Sequence, residues 1–111
     1  MAGEELVGSG LVRRRLLRRS AHVLVFILSR YPDLPVLTWT VTADVLRGHA
    51  DVCDLDPGRD RQVFSVWAEA LPASEGRDPA PVLDESGVTR LRANRRVSGV
   101  PVVLTAAVHP F

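Results

Sequence analysis

At 111 residues and a formal net charge of +1, the chain is long enough to bury one core and too short for two. Its 46% hydrophobic and 24% charged residues exclude wholesale disorder, and the near-neutral balance means that a basic surface can arise only by local clustering. The lone cysteine, Cys53, excludes an internal disulfide, and nothing points to an oxidising compartment.

The first element lies in "LVRRRLLRRSAHVLVFILSRYPDLP", residues 11–35. As an export signal it fails. Arg30, Pro32, Asp33 and Pro35 break the apolar run before the only plausible cleavage triplet, Val41-Thr42-Ala43. A membrane span needs about 20 apolar residues, and Ala21 to Leu28 supplies fewer than half of that. As a helix the stretch is coherent. Leu17, Ala21, Leu24, Leu28 and Tyr31 recur at i, i+4, i+7, i+11 and i+14, which predicts a core-facing stripe. Val23, Val25, Phe26 and Ile27 widen the arc, so the second half is expected to be buried nearly all round. Gly8-Ser9-Gly10 is the expected start, with Ser9 as N-cap, and Tyr31-Pro32 the stop. Residues 1–10 thus read as a flexible N-terminus and 11–111 as a single α+β domain.

The period then changes. In "VLTWTVT", Leu37, Trp39 and Val41 alternate with Thr38, Thr40 and Thr42, which predicts a half-buried strand with Trp39 as an anchor of the core. "VLRGHADVC" places Leu46, Ala50 and Val52 on one face and Arg47, His49, Asp51 and Cys53 on the other, paired to the first strand through a tight turn at Ala43-Asp44. "DLDPGRDRQVFSVWAEALP" is the second helix. Asp56 is its N-cap, Pro57 its first residue, and Val63, Phe64, Trp67, Ala70 and Leu71 its apolar stripe. Residues 72–87 hold prolines, glycines and acids without periodicity and read as an exposed loop. In "GVTRLRANRRVSGVPVVLTAAVHPF" a Ser98-Gly99 turn pairs Val97 with Val100, Ala93 with Leu104 and Leu91 with Ala106 on the apolar face. Arg96, Arg92 and Arg90 fall on the other face, and Arg95 falls on the apolar one, where it has to snorkel or pair.

The α-β-β-α-β-β order predicts an α+β two-layer sandwich: a four-stranded, mostly antiparallel sheet with two helices on one face. "SRYPDLPVLTWTV", "WAEAL" and "RVSGVPVVL" resemble small uncharacterised proteins common in actinobacterial genomes. The resemblance covers roughly residues 16–108. It implies a bacterial, cytoplasmic protein with this element order and transfers no catalytic residue.

The arginines are the main functional candidates, although all 14 basic residues are Arg, as GC-rich coding would produce. Arg90, Arg92 and Arg96 share one strand face and could grip phosphates, but no aromatic accompanies them to stack on bases. A solvated strand face is the favoured explanation of the stripe, since phosphate contacts alone give only salt-sensitive, non-specific affinity. Arg13, Arg14, Arg15, Arg18 and Arg19 crowd the start of the first helix against its dipole, which suggests an acidic protein, nucleic acid or, as the favoured explanation, the chain's own Glu4, Glu5 and the acids of residues 72–87. His49, Asp51 and Cys53 recur at i, i+2, i+4, but lack zinc-ligand spacing, and His49 and Cys53 lie about 13 Å apart on a strand, too far for a nucleophile pair. "DLDPGRD" lacks the glycine and glutamate of a calcium loop. With no phosphate-cradling glycine loop, G-x-S-x-G or paired carboxylates, the expectation is a non-catalytic interaction or regulatory protein without cofactor. Self-association as a dimer through the apolar "VPVVLTAAV" edge or the open sheet face, or another protein, is the expected partnership. Nucleic acid bound by Arg15, Arg18, Arg19, Arg90, Arg92 and Arg96 is the alternative, and neither a membrane nor a small-molecule substrate is expected.

Overall fold

The computed structural model describes residues 2–50, 57–74 and 76–109, leaving out the side chains of 2–9 and 57. Its elements are α1 (Ala2–Arg30), β1 (Thr38–Val41), β2 (Leu46–Ala50), α2 (Pro57–Ala70), β3 (Val82–Leu83), β4 (Thr89–Val97) and β5 (Val100–Val108). This is an α+β architecture with both helices on one face of the sheet, as the apolar periodicities require. The sheet has five strands rather than four, in the order β1-β2-β5-β4-β3, and it is mixed, because β2 and β5 run parallel. The C-terminal strand is therefore central, hydrogen-bonded on both sides, and cannot act as a free edge. The edges are β1 and the two-residue β3.

Both hairpins follow the period-two pattern. Val41 pairs with Leu46 across a turn in which the Thr42 hydroxyl donates to the Val45 carbonyl at 2.7 Å and accepts from its N–H at 3.0 Å. The β4–β5 register is the one the Ser98-Gly99 turn dictates, from Val97↔Val100 to Thr89↔Val108. Ser98 has φ 50° and Gly99 φ 79°, the two left-handed positions that match the twist of a tight hairpin. Leu46, Ala50, Leu91, Ala93, Val97, Val102, Leu104 and Ala106 thereby all point to the helices and are buried.

α2 covers this face with Val63, Trp67 and Leu71. Trp67, 1% exposed, is the true anchor: its indole N–H donates to the Pro35 carbonyl at 2.7 Å, and its ring packs edge-on against Tyr31 and Trp39. Trp39 does point inward but is only half-buried at the rim, and its indole nitrogen has no hydrogen-bond partner among the described residues. Its ring lies on Gly48 of the neighbouring strand, where a Cβ would sit 2.9 Å from Trp39 Cζ3 and from Leu37 Cδ1. Any side chain at 48 would displace both.

α1 departs most from expectation. It is helical from Ala2 and runs through Gly8-Ser9-Gly10, so those residues do not start it. It meets the sheet through Ser20, Val23 and Ile27, with Leu24 and Tyr31 half-buried beside them. That line is rotated from the expected stripe, and Leu17, Val25, Phe26 and Leu28 are 43%, 61%, 53% and 47% exposed. Residues 23–28 are apolar nearly all round, so period alone cannot select a face. The fold buries Ser20, Val23 and Ile27 and leaves their apolar neighbours on the helix partly or fully exposed.

Residues 72–74 and 76–87 are mostly exposed and are tied down by specific bonds. Ala73 bridges to Arg95, the Ser74 hydroxyl donates to the Asn94 carbonyl at 3.1 Å, and the Arg96 N–H donates to the Pro72 carbonyl at 3.3 Å. β3 then turns back along β4 through a loop built on Asp84, whose carboxylate accepts from the Ser86 hydroxyl and the Ser86 and Val88 N–H groups. These contacts hold the Asp84 carboxyl below the usual carboxylate range, the Ser86 hydroxyl contributing most. The expected N-cap Asp56 and the positions Asp51, Val52 and Cys53 lie outside the described residues.

Candidate functional site

Three surfaces carry side chains that the fold itself does not consume. The first is the open sheet face. Pairing sets Thr38, His49, Thr105 and Arg92 in one row, and Thr40, Arg47, Val103 and Asn94 in the next. His49 Nδ1 and the Thr105 hydroxyl lie 2.7 Å apart. Arg92 and Arg96 flank Asn94 on β4, and Arg47 stands across Val103, which is only 8% exposed. Together they rim a basin of about 440 Å³ with no acidic residue among the described residues that line it. Within the stripe the arginines differ. Arg90 pairs with Asp84 at 3.5 Å and Arg92 Nε donates to Asn94 Oδ1 at 3.2 Å, while Arg96 is exposed without a side-chain partner among the described residues.

Arg95 belongs to the fold instead. Its side chain is 10% exposed, donates to the Ala68 carbonyl at 2.9 Å and pairs with Asp78 at 2.7 Å. This satisfies a charge that alternation forces onto the apolar face. The Arg95 guanidinium in turn holds the Asp78 carboxyl below its ordinary range, with the Asn94 N–H adding a second hydrogen bond.

The second surface is a groove of about 420 Å³ lined by Arg15, Arg18, Arg19, His22, Phe26 and Ser98, among others. Arg19 is committed within it. Its guanidinium donates to the Ser98 carbonyl at 3.1 Å and crosses over Gly99, where a Cβ would collide with it. Arg15 and Arg18 are exposed. The sheet therefore separates the first-helix arginines from the Arg90/Arg92/Arg96 stripe: they lie on its helix side, and the stripe lies on the other. The candidates form two cationic surfaces, not one.

The third surface is not among the expected ones. The outer flank of α1 exposes Leu17, Val25 and Leu28, with Ala21 and Leu24 half-buried between them. Leu28 continues into a hollow of about 350 Å³ shared with Tyr31, Val36, Trp39 and Trp67, and Val36 is 89% exposed. A continuous apolar strip this long on a helix that already buries another line of residues is unusual for a surface that faces only water. The sequence does carry a signal for it: Leu17, Ala21, Leu24 and Leu28 alternate by four, three and four residues, the seam of a helix that packs on another helix.

Among the described residues no group of His, Cys, Asp and Glu could hold a metal ion, and no helix is long and apolar enough to cross a membrane. No protein-family model matches the chain. No curated protein and no solved structure is significantly similar to it.

Proposed function

We propose that the protein is a non-catalytic interaction module that docks a protein partner on the outer flank of α1. The observation that carries this is the exposure of Leu17, Val25 and Leu28 along one side of a helix whose core contacts are made by other residues, continued by Val36 in the connection after it. Covering each such side chain removes apolar surface from water at about 25 cal/mol per Å². Pairing through the C-terminal strand, by contrast, has no edge to use. Site-specific photo-crosslinking in the cells of origin tests the reading. A crosslinker at Val25 or Val36 is expected to trap protein, and one at Arg61, exposed on α2, is expected to trap none. Crosslinks from Arg61 and none from α1 would discard it.

A second reading rests on the basin rimmed by Arg47, Arg92 and Arg96, which offers guanidinium groups to a nucleic-acid backbone with no carboxylate among the described residues that line it. Binding to single-stranded RNA or DNA should then strengthen steeply as salt falls. Arg96→Ala should lower the slope of log affinity against log salt by about 0.7–0.9 for each phosphate that Arg96 neutralises. Absence of binding at low salt removes this reading.

A further inference from the structure

We propose that the basin on the open sheet face binds the terminal phosphate group of a small organic molecule, gripped by Arg47, Arg92 and Arg96. The proposal uses the arginines of the second reading above, assigns them a different ligand, and is independent of what docks on α1.

Register sets the three arginines around one point. Arg92, Asn94 and Arg96 alternate along β4, and Arg47 lies two strands away, across Val103 from Asn94. With strands about 4.8 Å apart and a rise of about 3.4 Å per residue, their Cα atoms form a triangle about 12–14 Å on a side. Its centre lies between Val103 and Asn94, about 7 Å from each corner and within reach of an extended arginine side chain.

The nearby acids neutralise other arginines. Asp84 pairs with Arg90 at 3.5 Å and Asp78 with Arg95 at 2.7 Å, whereas Arg47, Arg92 and Arg96 have no carboxylate partner among the described residues. Arg92 engages only its Nε, on Asn94 Oδ1, so its two terminal nitrogens and the Asn94 amide NH2 stay available as donors. Val103 is 8% exposed on a face that no helix covers, so its neighbours already screen it from water. Beside such a floor a guanidinium attracts an anion more strongly than in bulk water.

Donors converging from three directions select the anion. A carboxylate presents two oxygens in one plane, and a phosphate within a nucleic-acid strand carries one charge. A terminal phosphate presents three oxygens and about −1.5 to −2 charge at neutral pH, enough for every guanidinium to find its own acceptor. That group fills only part of about 440 Å³, a volume within the range of small-ligand sites. Val45 and Pro101 line the rest, so an apolar or planar body belongs beside the phosphate. The cationic area also ends abruptly. Beyond Arg92 lies the neutralised Arg90, beyond Arg96 the Ser98-Gly99 turn, and beyond Arg47 the uncharged Thr40. Such an island suits one compact anion better than a track of phosphates.

NMR titration of the full chain at low salt tests the site with three probes: phenyl phosphate, inorganic phosphate, and an oligothymidylate without terminal phosphates. Phenyl phosphate is expected to shift the Asn94 and Val103 amides with a dissociation constant below about 1 mM. Inorganic phosphate, lacking the ring, should bind about fivefold or more weakly. Arg47→Gln and Arg96→Gln, both at exposed positions, should each weaken phenyl phosphate about tenfold or more with unchanged circular dichroism. The Arg15→Gln/Arg18→Gln chain, altered on the other cationic surface, should bind as wild type does. Phenyl phosphate that leaves Asn94 and Val103 unmoved, or binds both basin variants as tightly as wild type, overturns the site. Equal affinity for inorganic phosphate overturns the organic body. Tighter binding of the oligothymidylate than of phenyl phosphate overturns the ligand and leaves the nucleic-acid reading standing, and no binding of any probe removes both.

Discussion

The two helices lie on the same face of the same sheet and use their apolar residues in opposite ways. α2 turns its stripe inward: Val63, Trp67 and Leu71 just past its end are all at most 4% exposed, with Phe64 and Ala70 half-buried beside them. α1 turns in Val23 and Ile27 and leaves Leu17, Val25, Phe26 and Leu28 in water. One helix builds the monomer, and the other is only partly absorbed by it. The difference shows that an amphipathic stripe reports that a surface will be covered, without saying by what.

The sharpest test of that contrast is Trp67→Ala. The change empties the centre of the core, leaves the Pro35 carbonyl without its donor and removes the edge-on packing against Tyr31 at 6.2 Å and Trp39 at 5.6 Å. A cost of about 3–5 kcal/mol is expected, a large fraction of a small domain's stability, read from urea unfolding. A loss below about 1 kcal/mol would mean that α2 is not the helix on which the core depends.

Most of this core is legible in the sequence, because a strand with one wet face alternates strictly and a tight turn fixes its register. The turn at Ser98-Gly99 alone determines every pair from Val97↔Val100 to Thr89↔Val108. Strand order is not legible. Alternation identifies an inward face but is silent on neighbours, so the parallel β2–β5 pairing that puts the last strand in the centre leaves no mark in the residues. β3 escapes because two residues are too few to alternate. The α1 flank misleads for a different reason. Its heptad spacing does mark a packing stripe, but nothing in that spacing says whether the stripe packs on the chain's own core or on another surface.

How α1 is held gives the next test. Near its middle the hold is polar: Arg19 binds the Ser98 carbonyl over Gly99. Gly99→Ala places a methyl both at φ 79° and in the path of that guanidinium. A destabilisation of about 1–2 kcal/mol is expected from the left-handed conformation alone. Arg19→Ala should cost less, about 0.5–1.5 kcal/mol for one hydrogen bond, and in the double variant the two costs should fall short of their sum. Strict additivity would show that Arg19 does not clamp the turn.

Beside α2, the equivalent polar fastening is titratable. Because Arg95 depresses the Asp78 carboxyl in the folded chain, this pair contributes stability above the unfolded carboxylate value of about 3.9. That contribution disappears as pH falls through the folded value. Asp78→Asn should therefore be less stable than wild type at pH 6 and should lose less on acidification from pH 5 to pH 2. The difference should be small, since Asp78 is 39% exposed and water screens the pair. An identical acid profile in the two proteins would show that the Asp78–Arg95 contact does not persist in solution.

The smallest expected effect is the most informative about α1. Leu28 is 47% exposed on the flank, so Leu28→Glu removes little that the isolated chain buries, and at submicromolar concentration its unfolding free energy should stay within about 0.5 kcal/mol of wild type. A cost of several kcal/mol there would mean that the flank is covered from within the chain, and α1 would then resemble α2 after all. Concentration separates the remaining cases. A partner that binds only the folded chain stabilises it by mass action. If the flank seats a second copy, the wild-type unfolding midpoint should climb as protein is raised from about 1 to 300 µM, across the range set by a weak, small interface. The Leu28→Glu midpoint should stay level. Two level curves would leave the flank to a different protein, and two rising curves would put the self-contact on a surface that Leu28 does not touch.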